Sequence, residues 1–163
     1  MSAKLPVIKD LPPLREVGLR LSRVTRRDDV VVSAMAGILP YYWGARTIDM
    51  FGPCDPHLSS RGRPIPLGVG RFDPPALIAK HPTFYVFEFP QFAVDFVQLP
   101  EFAPYRNDYF MLEYPFGYLG SKTFSPPVLL VRKDRPELDR LTQVLGVRLV
   151  EVEQEFRRTG FIR

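Results

Sequence analysis

The segment IDMFGPCDPHLSSRGRP, residues 48–64, gathers side chains that can do chemistry. Asp49, Cys54, Asp55 and His57 follow one another closely, and Tyr41, Tyr42, Trp43 and Arg46 stand just upstream. A carboxylate near an imidazole is the material of general acid–base catalysis. A thiol near an imidazole is the material of a nucleophile. A metal site needs at least a third protein ligand. The only other histidine is His81, and no spacing selects it, so no metal is expected. Cys54 follows Pro53 and lies in no recognised nucleophile turn. It reads as a small half-buried residue rather than a catalytic thiol. Asp49 ends an otherwise apolar run, where it either caps the next turn or faces a ligand cleft. Asp55 reads as the cap of the segment that follows, with His57 and Arg46 free to bond hydroxyls or a phosphate. Tyr41, Tyr42 and Trp43 offer faces on which sugar rings stack, although such rings more often fill cores.

The elements that position these residues are legible from periodicity. Residues 1–13 carry Pro6, Pro12 and Pro13 and read as an extended arm or linker. Leu14, Val17, Leu21 and Val24 recur at helical spacing, predicting a helix over 14–26. VVVSAMA (30–36) is a β-branched run and RTIDMF (46–51) a second strand, joined by the short crossover AGILPYYWGA. That order predicts parallel pairing, and ligands of open α/β sheets bind beyond the carboxyl ends of such strands. Residues 57–75 are rich in Pro, Gly and Arg and read as loop. PPALIAKHP (74–82) predicts a short helix, TFYVFEF (83–89) a strand, and FAVDFVQL (92–99) either one. DYFMLEY (108–114) and PPVLLVRK (126–133) predict two antiparallel strands around GYLGSKTFS. Leu138, Leu141, Val144 and Leu145 predict a helix over 136–146. The final run, VRLVEVEQEFRR, fits neither period. The expected architecture is a single α/β domain over 14–163, with a mixed, mostly parallel sheet, flanking helices and long Pro-rich loops.

Composition bounds the function. The 163 residues are 45% hydrophobic and 25% charged, ordinary for a globular domain. The net charge is +4, but no basic run exceeds two adjacent residues. With no zinc-finger or RNP-like motif, nucleic acid is not an expected partner. One cysteine excludes an internal disulfide and a multi-cysteine zinc cluster. No apolar run approaches the ~20 residues that span a bilayer, and the N-terminus lacks the apolar centre of a signal peptide. Thirteen of the 20 Phe and Tyr residues fall in 84–118, a core or an interface. The Gly-x-Gly at 68–70 is too weak a signal for phosphate binding.

VVSAMAGILPYYWGARTIDMFGPCDPHL resembles the soluble C-terminal domain of bacterial GT-C membrane glycosyltransferases. These enzymes use polyprenyl-phosphate sugars and are akin to protein mannosyltransferases and cell-envelope arabinosyltransferases. The matching residues are Ala36, Gly37, Tyr41, Tyr42, Gly44, Ile48, Asp49, Met50, Gly52, Asp55, Pro56 and His57. PEFAPYRNDYFML (100–112) is similar to a later segment of such domains. One departure stands out: the family often carries a Gly-His pair downstream, and PLGVGRFD has no histidine.

The resemblance implies an extracytoplasmic module, soluble in itself, whose catalytic carboxylate lies elsewhere, in a loop between membrane helices. Its implied partners are the transmembrane catalytic part, a sugar acceptor and a polyprenyl-phosphate sugar. The expected ligand-binding set is Tyr41, Tyr42, Trp43, Arg46, Asp49, Asp55 and His57, with no catalytic residue, metal or cofactor. The second function class is a free-standing α/β hydrolase using Asp49, Asp55 and His57. The missing nucleophile turn and the missing third partner count against it.

Overall fold

The computed structural model describes residues 12–34, 37–52, 62–64, 71–87, 90–113 and 127–158. The expected arm lies outside these residues up to residue 11, as does the turn at 114–126.

Helix α1 (Pro12–Ser22) buries Val17 and Leu21 and exposes Arg15 and Arg20. It stops four residues short of the expected end. The N–H groups of Arg23 and Val24 donate to Arg20 O and Leu21 O, only three residues back. The Asp29 carboxylate then accepts the Arg26 N–H at 2.8 Å and folds the chain into a turn. Strand β1 (Val30–Ser33) follows. Helix α2 (Ile38–Trp43) forms the crossover and ends at Gly44, whose φ of 72° suits a residue without a side chain. Strand β2 (Arg46–Asp49) completes the unit, parallel to β1 with Val30 opposite Arg46 and Ser33 opposite Asp49.

The stretch expected to be loop contains a short antiparallel ribbon, β3 (Arg63–Pro64) with β4 (Arg71–Phe72). Two-residue strands are too short to show alternation. Helix α3 (Pro74–Ile78) is capped by Asp73, which accepts the Ala76 N–H at 3.1 Å. Strand β5 (Phe84–Phe87) is buried throughout. The ambiguous run is helix α4 (Pro90–Gln98). Its buried residues, Ala93, Val94, Phe96 and Val97, fall on one helical face. A 3₁₀ turn (Ala103–Asp108) leads into β6 (Tyr109–Glu113), and β7 (Val128–Arg132) pairs antiparallel to it. Helix α5 (Leu138–Leu145) is the expected C-terminal helix. The last run divides into β8 (Arg148–Glu151) and α6 (Val152–Arg158). The junction explains why no single period fitted it.

The sheet runs β2-β1-β5-β7-β6-β8. Its β2, β1 and β5 are mutually parallel; β7, β6 and β8 add antiparallel pairings. Successive residues alternate between two cores, as strand geometry requires. Val31, Phe84, Val86, Leu129 and Val131 pack with α1, α2 and α5. Val32, Tyr85, Phe87 and Leu130 pack with α3, α4 and α6. The expected α/β architecture is therefore present, with helices on both faces of a mixed sheet.

Candidate functional site at the carboxyl edge of the parallel strands

Strand β2 delivers Asp49 to the carboxyl edge of the sheet. The ladder continues one step further, with the Met50 N–H donating to Ser33 O at 2.8 Å. Asp49 is 8% exposed, and its Oδ1 accepts the Phe51 N–H at 3.1 Å. The Gly52 N–H donates to Asp49 O at 3.3 Å, and Gly52 has φ 75°, where a side chain would strain the backbone. Asp49 therefore shapes the turn from which Cys54, Asp55 and His57 depart. Those three residues lie outside the described residues.

The turn is braced from the ribbon. The Arg71 N–H donates to Phe51 O at 2.8 Å, and the Phe51 ring meets Phe72 at 6.0 Å and Phe92 at 5.3 Å, both edge-on. Arg71 Nε–H donates to Gly62 O at 2.6 Å. A Cβ on Gly62 would stand 2.7 Å from Phe72 N, so only glycine allows this approach. No sequence pattern pointed to Arg71 as a brace of the Asp49 turn, because the contact joins segments about twenty residues apart.

Topology adds a second feature. From β1 the chain leaves through α2, on one face, toward β2 on one side. From β5 it leaves through α4, on the other face, toward β6 on the opposite side. Neighbouring strands whose connections diverge open a crevice at their carboxyl ends, the usual ligand position in such sheets. Here the divergence falls at the carboxyl ends of β1 and β5, at Ser33 and Phe87, one strand from Asp49.

The upstream aromatics divide. Trp43 is 2% exposed, donates its indole N–H to Thr25 Oγ1 at 2.7 Å and packs edge-on against Phe84 at 4.9 Å. It is a core residue. Tyr41 is 81% exposed and meets Tyr42 edge-on at 5.1 Å. The Arg15 guanidinium covers the Tyr42 ring at 5.3 Å, a cation–π contact the sequence did not announce. Arg46 is exposed at the start of β2. It stands roughly 10 Å from Asp49 along the strand, at the opposite edge. The structure thus brings Tyr41 and Tyr42 together, and separates Arg46 from Asp49.

Two buried phenols are committed to structure. Tyr109 O–H donates to Pro82 O at 2.8 Å. Burial pushes the Tyr85 and Tyr109 phenols above their ordinary range, so neither ionises near neutral pH. Among the described residues, no three His, Cys, Asp or Glu side chains are grouped to hold a metal ion. A cleft of about 430 Å³ at β6, β8 and α6 is lined by Phe110, Glu113, Arg148, Glu151 and Arg158. Its arginines are paired, Arg148 with Glu113 and Arg158 with Glu155.

Residues 9–141 match a family model described as "Domain of unknown function (DUF8728)", and the chain belongs to that family. No curated protein matches the chain, and no solved structure matches it. No helix among the described residues is long and apolar enough to cross a membrane.

Proposed function

We propose that the protein is the extracytoplasmic accessory domain of a membrane GT-C glycosyltransferase of a bacterial cell envelope, and that its carboxyl edge holds carbohydrate. The observation that carries this reading is the Asp49 turn. It is a braced, hydrogen-bonded platform beside the diverging ends of β1 and β5. Loops fixed by a rigid scaffold are the usual carriers of binding function. The resemblance of residues 31–58 to the soluble domains of such enzymes supplies the ligand class. Asp55 and His57 follow directly from this turn and supply groups for sugar hydroxyls. Trp43 takes no part, because it belongs to the core. The transmembrane catalytic part of the parent enzyme is the protein partner, and it carries the chemistry.

An isolated sugar module binds weakly, at about millimolar Kd, or about 4 kcal/mol. The test is an amide chemical-shift titration with mono- and oligosaccharides and with a short polyprenyl phosphate. Shifts at Ser33, Phe51, Gly52 and Arg71 support the reading. Saturating additions that leave those amides unmoved contradict it. The chain alone should show no glycosyl transfer, and turnover lost on Asp55→Ala would overturn the assignment as an accessory domain.

A further inference from the structure

The opposite edge of the same three strands has a different chemistry. Strands β1, β2 and β5 all begin there, because they are parallel and in register. The turn before β1 presents Arg23, Arg26, Arg27 and Asp28; β2 begins with Arg46; Lys80 and His81 precede β5. Arg23, Arg27, Arg46, Lys80 and His81 are exposed. Asp28 faces Arg26 at 3.3 Å. No ion pair among the described residues joins Arg23, Arg27, Arg46 or Lys80 to a carboxylate. Along the same edge β7 ends in Arg132 and Lys133, paired with Asp134 and Glu151, and away from it Arg148 pairs with Glu113 and Arg157 with Glu153. Four of the seven described cations without a carboxylate partner stand along this row; the other three, Arg15, Arg71 and Arg106, are engaged by the Tyr42 ring, Gly62 O and Val97 O.

We propose that this amino edge docks on a bilayer surface bearing anionic headgroups. The row crosses three adjacent strands, about 10 Å at the usual strand spacing. That is comparable to the distance over which a charged surface acts at physiological salt, about 8 Å. Tyr41 stands exposed on α2, which leads into this edge. Tyrosine with arginine and lysine is the side-chain set that settles at headgroup level. An exposed tyrosine together with cations that stand in turns and at a strand start, none of Arg23, Arg27, Arg46 and Lys80 on a helix, favours lipid over nucleic acid. The inference goes beyond the carbohydrate reading and does not depend on it. It sets an orientation: with the amino edge on the bilayer, the Asp49 turn faces away from it.

The test is co-sedimentation of the full chain with phosphatidylglycerol and with phosphatidylcholine vesicles over a salt series. Binding to phosphatidylglycerol alone, weakening as salt rises, is expected. Removing one basic residue from such a surface costs about a fivefold loss in partition. The triple variant Arg27→Gln, Arg46→Gln, Lys80→Gln should then lose about a hundredfold. The triple variant Arg148→Gln, Arg157→Gln, Arg158→Gln removes the same charge from β8 and α6, and should change partition less than about fivefold. All six side chains are exposed, and circular dichroism verifies that both variants fold. No preference for phosphatidylglycerol, equal losses in the two triples, or tighter binding to duplex DNA would each overturn the proposal.

Discussion

Asp29 stands just before β1 and Asp49 ends β2, and both are buried, at 3% and 8% exposure. Both carboxylates accept a backbone N–H of their own turn, from Arg26 and from Phe51. Beyond that they differ. Asp29 also takes Arg135 through two bonds, 3.1 Å from Nε and 3.0 Å from Nη2. Arg135 reaches on to Val24 O at 2.6 Å and covers the Phe84 ring at 5.2 Å. This pair ties the turn before β1 to the turn after β7, across 106 residues of sequence. Asp49 shapes the turn at the carboxyl end of β2. One aspartate ties two distant turns together, and the other shapes the turn at the end of its own strand.

The largest effect should therefore follow from breaking the tie between the two distant turns. Asp29→Ala leaves Arg135, 1% exposed at its side chain, as an uncompensated buried charge. Such a loss costs about 3–5 kcal/mol, and denaturant unfolding should show it in the midpoint. A change under about 1 kcal/mol would mean that water or another carboxylate replaces Asp29, and the comparison with Asp49 would fail.

Next in size is the seam that carries α2 across the sheet face. A Cβ on Gly18 would lie 2.8 Å from Leu39 O and 2.9 Å from Tyr42 Cβ. Gly18→Ala must push α1 from α2, at about 1–3 kcal/mol. Because Tyr42 sits at that contact, the variant should also move the Tyr41 and Tyr42 ring resonances. Unchanged rings with lowered stability would place the strain elsewhere.

The sequence made different parts of this picture legible for different reasons. β1, β2 and β5 are short β-branched or aromatic runs, and the brief crossover between the first two left parallel pairing as the simple reading. Asp49 was visible as a polar end to an apolar run, which left capping and ligand contact both open. Its bond to Phe51 settles that it shapes the turn. Asp29 and Arg135 were not legible as partners, because an ion pair between distant segments depends on the fold. Nor was the fate of Trp43. In a six-residue helix, which of three adjacent aromatics turns inward depends on where α1 lies, and α1 places Thr25 against the indole N–H. The ribbon of β3 and β4 carries no pattern of its own. It is held by contacts to Phe51 and Phe96.

The smallest expected change in stability belongs to Asp49, and it bears most directly on the central claim. Asp49→Ala removes, among the contacts of the described residues, the side-chain hydrogen bond from the Phe51 N–H, a bond worth about 0.5–1.5 kcal/mol. The measurement is an oligosaccharide titration followed by amide chemical shifts, run on the unaltered chain and on Asp49→Ala under conditions where both are fully folded. Ligand-dependent shifts at Ser33, Phe51, Gly52 and Arg71 are expected in the first, and their loss in the second. Shifts of equal size in both chains, or shifts confined to β6, β8 and α6, would contradict a binding platform built by Asp49.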